Sequence, residues 1–256
     1  MKTKNFFNIK KLEDKINIGF FTKKGGYSNG KYKLLNCNLS GNNNKYNVNK
    51  NIKNCLNALN IKNKKLKLIK QIHSNKIKIV NQNNFKTLFS GDGLVTNDKD
   101  IALGVLTADC MPIFLFDKHK KYICCLHSGW KGALKNIVNK SIIFFNKNKI
   151  KNNDLIAVMG PCISYTRFEV DKDFKEAFIK KNIKYKKFFK SKNNYKDLFD
   201  MRGLIKLQFC EMGVTNLYNI NRDTYSNSKL FFSYRRSTHS KNGETGRMIN
   251  IISFKD

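Results

Sequence analysis

Two short segments bring a thiol, a carboxylate and an imidazole close together along the chain: Thr107-Ala108-Asp109-Cys110 and Leu126-His127-Ser128-Gly129-Trp130-Lys131-Gly132. A third candidate, His73, stands upstream in Gln71-Ile72-His73-Ser74. His73, Cys110 and His127 make a three-ligand set that leaves the fourth position of a tetrahedral metal open to water or substrate, as in reactive zinc sites. Cys110 and His127 serve equally well as a thiol nucleophile and its base, since both uses need a deprotonated thiol beside an imidazole. A buried structural cysteine with two hydrogen-bonded core histidines is the third reading, and no C-x-x-C or H-E-x-x-H signature selects among them. Asp109 interrupts an apolar run, which needs a reason. Beside Cys110 it is a candidate general acid or base, or an orienting group. Asp92, in Gly91-Asp92-Gly93, reads first as a turn residue.

Candidate anion-binding residues lie further out. In Thr22-Lys23-Lys24-Gly25-Gly26-Tyr27-Ser28, paired glycines would let backbone N–H groups approach an anion, with Lys23 and Ser28 adding charge and a donor. A plain hairpin turn explains the same residues. Near the C-terminus, Phe231-Phe232-Ser233-Tyr234-Arg235-Arg236 and Thr245-Gly246-Arg247 combine aromatic rings with guanidinium groups. Arg235, Arg236 and Arg247 suit phosphate binding and stacking on a base, or ion pairs on a surface loop. Gly160-Pro161-Cys162-Ile163 is a turn signal that could also line a pocket.

The elements that must position these groups follow from the apolar pattern. Strands are predicted at 16–22, 66–72, 76–80, 101–106, 113–117, 122–127, 155–159, 217–220 and 248–254. After Gly129, residues Trp130, Ala133, Leu134, Ile137, Val138, Ser141, Ile142 and Phe145 follow the spacing of one buried helical face. Further helices are predicted at 48–60, 171–181 and 200–212, and the Lys/Asn-rich stretches 41–54, 146–153 and 180–196 read as loops or solvated helix faces. Strands and helices do not alternate steadily, so the expected class is α+β with mixed sheets flanked by helices. No repeat or linker divides the chain, and one domain over residues 1–256 is expected.

Composition bounds the function classes. The 256 residues are 41% hydrophobic and 12% aromatic, enough for a substantial core and against disorder. A net charge of +32 would ordinarily indicate nucleic acid or an anionic membrane. Here 44 Lys stand against 6 Arg, with abundant Asn, Ile and Phe, residues that share A/T-rich codons. The guanidinium that reads bases and phosphates bidentately is scarce, so no specific nucleic acid is expected as partner, and a basic RNA-binding protein stays the lesser reading. The run 101–116 is too short to span a bilayer. The first 21 residues lack a signal-peptide core, broken as they are by Lys10 and Lys11. With seven Cys, a cytoplasmic protein with reduced thiols is expected. The neighbours Cys124 and Cys125 should point to opposite faces of a strand.

Taken in order, these blocks resemble the YfiH-type proteins, also known as the polyphenol oxidase/laccase-domain or peptidoglycan editing factor family and regarded as purine nucleoside phosphorylases. The matching stretches are Gly19-Phe20-Phe21-Thr22, Gly25-Gly26-Tyr27-Ser28, Leu35-Asn36, Gln71-Ile72-His73, Gly91-Asp92-Gly93-Leu94-Val95-Thr96 and Thr107-Ala108-Asp109-Cys110-Met111-Pro112. They continue with His127-Ser128-Gly129-Trp130-Lys131-Gly132, Gly160-Pro161-Cys162-Ile163, Phe232-Ser233-Tyr234-Arg235-Arg236 and Thr245-Gly246-Arg247. The resemblance implies a layered α/β domain related to a bacterial toxin's cysteine deamidase domain. It also implies zinc on His73, Cys110 and His127, phosphorolysis of adenosine, inosine, guanosine and methylthioadenosine, and adenosine deamination as a second reaction. The laccase name implies copper, but one Cys/His₂ set lacks the ligands of a multicopper cluster. The expected phosphate site is the Gly25-Gly26 loop with Lys23, Ser28 and the C-terminal arginines, and the expected acid is Asp109 or zinc-bound water. The family has Arg where this chain has Lys23 and Lys131; the change keeps charge but loses the bidentate fork. The editing-factor name keeps a Cys-His amide hydrolase acting on cell-wall peptide precursors as the alternative.

Overall fold

The computed structural model describes residues 5–40, 43–241 and 243–255. Its strands run Phe6–Phe7 (β1), Ile16–Phe21 (β2), Lys65–Leu68 (β3), Ile77–Ile79 (β4), Gly93–Thr96 (β5), Ile101–Thr107 (β6) and Met111–Asp117 (β7). Then follow Ile123–Ser128 (β8), Leu155–Met159 (β9), Glu169–Asp171 (β10), Phe189–Ser191 (β11), Lys196–Phe199 (β12), Asn216–Asn219 (β13) and Met248–Phe254 (β14). The α-helices are Lys45–Ala58 (α1), Trp130–Leu134 (α2), Ile137–Lys147 (α3), Lys172–Lys181 (α4), Met201–Glu211 (α5) and Tyr234–His239 (α6).

Two mixed sheets form the centre, ordered β1-β2-β14-β6-β3 and β13-β9-β7-β8-β5-β4. Side chains alternate along a strand, and that alternation divides the core. Phe114 and Phe116 of β7 join Phe20, Leu103 and Ile252 between the sheets. Ile113 and Leu115 turn the other way, toward Val138, Ile142, Leu204 and Phe209 of the covering helices. Both faces of β7 are therefore covered, and all its residues are buried. Cys124 belongs to the helix-side core and Cys125 to the core between the sheets, on opposite faces as expected. Beyond the five-stranded sheet, Cys55 and Leu59 pack with Phe21, Ile249 and Ile251. The result is a layered α/β arrangement of mixed sheets and helices.

Some details depart from the sequence reading. The single helical face after Gly129 is two helices. Asn136 breaks it in the left-handed conformation (φ 52°) and caps α3 by accepting the Asn139 N–H, a conformation Asn tolerates. The apolar period survives the break because Ala133, Ile137, Val138 and Ile142 join the same core. The strands β1 and β5, the small sheet β10-β12-β11 and the helix α6 escaped prediction; the stretch 180–196 holds a 3₁₀ turn (Ile183–Phe188) and β11. The Lys/Asn-rich stretch 41–54 is mostly α1, in keeping with a solvated helix face; its first two residues, like the first four of the chain, lie outside the described residues. Among the described residues no helix is long and apolar enough to cross a membrane.

Phe114 is fully buried and stacks on Phe20 with ring centroids 4.6 Å apart. Phe114→Ala should therefore destabilise the fold by about 3–5 kcal/mol, measured as the shift in denaturant midpoint at unchanged slope.

Candidate metal centre

The site lies where the chain passes from one sheet to the other. β6 ends in the five-stranded sheet at Thr107, β7 starts in the six-stranded sheet at Met111, and Ala108-Asp109-Cys110 makes the step. Cys110 thereby meets His127 near the end of the neighbouring β8, while His73 arrives from the segment after β3. The ligand atoms of His73, Cys110 and His127 all lie within 4.8 Å of one another. Cys110 Sγ is 3.9 Å from His73 Nε2, and the two imidazoles meet edge to face, centroids 4.9 Å apart. A tetrahedral zinc, about 2.0–2.1 Å from nitrogen and about 2.3 Å from sulfur, spans roughly 3.5 Å between such ligands. Donor chemistry and spacing therefore fit a metal ion.

Asp92 orients the histidines, which reverses the sequence reading of the two aspartates. Its carboxylate is fully buried. Oδ1 accepts from His127 Nδ1 at 2.8 Å and from the His73 N–H at 3.0 Å. Oδ2 accepts from the N–H groups of Ile72 (3.3 Å) and Ser74 (2.5 Å) and from Ser74 Oγ (2.8 Å). With Nδ1–H of His127 turned to Asp92, Nε2 carries the free lone pair, the arrangement of a carboxylate-supported metal ligand. The sequence carried no signal for this role, since an aspartate between two glycines reads as a turn residue.

Without metal the three groups shift one another. Burial alone would raise the Cys110 thiol, but the positive charge of His127 and hydrogen bonds from His127 and His73 bring it to about 6. Burial alone would lower His127; the Cys110 thiolate and the Asp92 bond carry it to about 9. Burial opposes ionisation of Asp92, and bonds from His127 and Ser74 outweigh it, holding the carboxyl at about 2.

Local backbone serves the same end. His73 (φ 56°) and Asp109 (φ 96°) occupy positive φ, a strained state for non-glycine residues that the surroundings must enforce. The His73 N–H is held by Asp92, and the Asp109 carbonyl accepts from the Ile163 N–H at 3.0 Å. Gly129 has a direct reason: a Cβ there would stand 2.8 Å from His73 Cδ2 and 3.1 Å from Cys110 Sγ.

The cluster opens into a cavity of about 730 Å³ that is also lined by Asp109, Trp130, Phe168, Tyr234, Arg235 and Arg247. Arg235 and Arg247 thus reach the cluster's cavity, whereas Lys23, Ser28 and Arg236 do not line it. Lys23 lies over the Phe232 ring at 5.7 Å, its pKa lowered by burial and by Arg236. Ser28 Oγ accepts from Asn51 at 3.0 Å. Gly26 abuts Leu35, whose nitrogen would be 2.3 Å from an added Cβ, so packing explains that glycine. The Arg236 guanidinium donates to the carbonyls of Thr224, Tyr225 and Phe231 and braces a loop. Asp109 lines the cavity, but its carboxylate accepts from Thr224 Oγ1 (2.6 Å), Ser233 Oγ (2.9 Å) and the Arg235 N–H (2.7 Å). These bonds tie it to the start of α6. Trp130 and Phe168, which add aromatic surface, were not singled out as site residues, whereas Tyr234 lies in the C-terminal stretch read for stacking on a base.

Residues 17–255 match the family described as multi-copper polyphenol oxidoreductase laccase. A purine nucleoside phosphorylase of Rickettsia prowazekii is 34% identical over 191 residues, covering 73% of this chain and 78% of that protein. The purine nucleoside phosphorylase YlmD of Bacillus subtilis is 28% identical over 93% of this chain and 88% of its own length. Among crystal structures, a Neisseria meningitidis protein superposes with a TM-score of 0.84 at 26% identity, covering 99% of this chain and 100% of that one. The YfiH protein of Bacillus licheniformis has the same fold, with a TM-score of 0.91 at 23% identity over 99% of this chain and 98% of its own.

Asp92→Asn should weaken metal binding about 10–100-fold with the fold retained, read by chelator competition; Gly129→Ala should also lower metal content by displacing His73 and Cys110. The folded pKa of Cys110 lies below its ordinary value and that of His127 above it. By linkage, the metal-free protein loses the Cys110 contribution as pH falls through about 6 and the His127 contribution as pH rises through about 9. Thiolate absorbance of the metal-free protein should accordingly appear near pH 6 and move toward 9.0 in His127→Gln.

Proposed function

The chain belongs to the family described as multi-copper polyphenol oxidoreductase laccase, and from that premise we propose that it is a zinc-dependent purine nucleoside phosphorylase. The observation that carries this reading is a three-ligand cluster opening into a cavity that also presents two arginines and three aromatic rings. Relatives named purine nucleoside phosphorylase support it. The substrates proposed are adenosine, inosine, guanosine and methylthioadenosine with inorganic phosphate, and adenosine deamination is proposed as a side activity. The whole chain is taken to act as one domain in the cytoplasm with its thiols reduced.

His73, Cys110 and His127 would hold the zinc, which when bound supplies Lewis acidity for charge developing on the substrate. Arg235 and Arg247 would bind phosphate, as guanidinium groups do bidentately. Trp130, Phe168 and Tyr234 offer surfaces on which a purine can stack. Hydrogen phosphate held by the arginines attacks the anomeric carbon of the ribose as the bond to the purine nitrogen breaks, and the proton it gives up ends on that nitrogen, leaving a sugar phosphate and the free base. Copper oxidase chemistry of the multicopper kind is a poorer fit: among the described residues one His/Cys cluster of this kind is found, too few ligands for several ions.

A second reading has its own observation. Cys110, His127 and Asp92 line up as nucleophile, base and orienting carboxylate, the logic of a thiol hydrolase, which would act on amides such as cell-wall peptide precursors without metal. His73, also beside the thiol, has no part in that scheme and favours the metal.

Chromatography of adenosine incubated with the zinc-loaded protein separates the readings. Adenine that appears only with phosphate, and is lost by at least about 100-fold in Cys110→Ala or His127→Ala, is the expected result. Inosine without phosphate would make deamination dominant. No nucleoside turnover, with thiol-dependent amide cleavage by metal-free protein, would overturn the phosphorylase.

A further inference from the structure

The Gly25-Gly26-Tyr27-Ser28 and Leu35-Asn36 segments stay outside the metal cluster, yet they converge on two fully buried asparagines, Asn51 and Asn36. Asn51 of α1 accepts the Tyr27 N–H at 2.8 Å and donates to Ser28 Oγ at 3.0 Å and to the Asn36 carbonyl at 2.7 Å. Asn36 in turn accepts the Arg247 N–H at 2.9 Å and the Asn38 N–H at 3.1 Å through Oδ1, and donates to Asn43 Oδ1 at 3.1 Å. The Cys37 N–H completes the grip by donating to the Arg247 carbonyl at 3.0 Å. Arg247 is thus held at both of its own peptide groups by residues 36 and 37.

The guanidinium of Arg247 lines the cavity. Its Nη1 donates to the carbonyls of Thr245 and Gly246, and Tyr234 lies beneath it, 5.8 Å from ring centroid to guanidinium carbon. Among the described residues no carboxylate pairs with it. An apolar residue at 36 would leave the part-buried Arg247 N–H without its Asn36 acceptor. An aspartate there would supply the acceptor but add a negative charge at the backbone of Arg247, opposing an incoming anion. Asparagine accepts without charge.

We infer that Asn36 is a positioning residue for anion binding: it fixes the backbone of Arg247 and leaves the guanidinium charge for the substrate. This rests on the reading of the cavity as a phosphorylase site, with inorganic phosphate as the anion. It gives the Leu35-Asn36 segment a use that the expected glycine-loop phosphate site did not.

The experiment is a double-mutant cycle on the zinc-loaded protein, with hydrogen exchange of the segment 243–249 measured alongside. Asn36→Ala should raise the KM for phosphate about fivefold, with kcat and nucleoside KM changing by less than about twofold. Zinc content should stay full, exchange at 243–249 should quicken, and the KM effect should vanish in an Arg247→Ala background. Asn36→Asp should raise the phosphate KM while leaving exchange at Arg247 slow, because the acceptor is kept and only the charge changes. Additive effects in the cycle, or a fall in kcat or zinc content at unchanged phosphate KM, would overturn the inference. If Asn36→Ala does not fold, Asn43→Ala removes the bond that orients the Asn36 amide and should show the same pattern at smaller amplitude; unchanged phosphate KM and exchange there would count against it. Absence of phosphorolysis in the unmutated protein would sink the phosphorylase reading instead. The exchange measurement then decides the positioning of Arg247 by itself, and unchanged exchange in Asn36→Ala overturns it.

Discussion

The buried carboxylate of Asp92 is the constraint on which the candidate site depends. A charge at that depth is tolerated only when its oxygens are satisfied, and here three backbone N–H groups, a serine hydroxyl and the His127 ring do so. Removing one partner of such a buried arrangement typically costs about 3–5 kcal/mol, so Asp92 stabilises the turn that carries His73 and the rotamer of His127 together. One side chain thereby sets two of the three ligands. The third, Cys110, is fixed independently by the crossing from β6 to β7.

That crossing also explains why Asp109 and Cys110 are neighbours with different duties. At a positive φ the chain turns sharply, so consecutive side chains diverge. Cys110 faces the histidines, whereas the Asp109 carboxylate reaches Thr224, Ser233 and the first turn of α6. Negative charge there is favourable, because the unpaired N–H groups of a helix start attract it. Arg235 on the same turn is braced further by its bond to the Glu169 carbonyl at 2.7 Å and its place over the Phe168 ring. Cys110 and the arginine-bearing helix are thus joined through adjacent residues of one strand connection.

The large positive charge contributes little to this picture. Many lysines lie on exposed faces, where solvent and salt screen them. The guanidinium groups do more defined work. Arg202, Arg235, Arg236 and Arg247 all donate to backbone carbonyls, but of the C-terminal arginines only Arg235 and Arg247 also line the cavity. A site that binds an anion needs cations whose charge is not already paired, and position rather than number supplies them.

What the sequence determined by itself was the residue chemistry and the layered class. Runs such as Met111–Asp117 and Met248–Phe254 are apolar enough to be buried on both faces, which calls for stacked sheets, and the triad His73, Cys110 and His127 could be chosen because few side chains bind soft metals. Periodicity could not show the break at Asn136, since both helices bury the same face, nor the short strands β5, β10, β11 and β12, although it found β3, β4 and β13, which are as short. The roles of Asp92 and Asp109 were beyond it as well: each is an aspartate beside small or apolar residues, and only the folded chain decides which donors surround a carboxylate. The same holds for Arg235, Arg236 and Arg247, alike in sequence and separated in duty by which of them line the cavity. Local pattern records what a side chain can do, and long-range contact selects which of those uses is open to it.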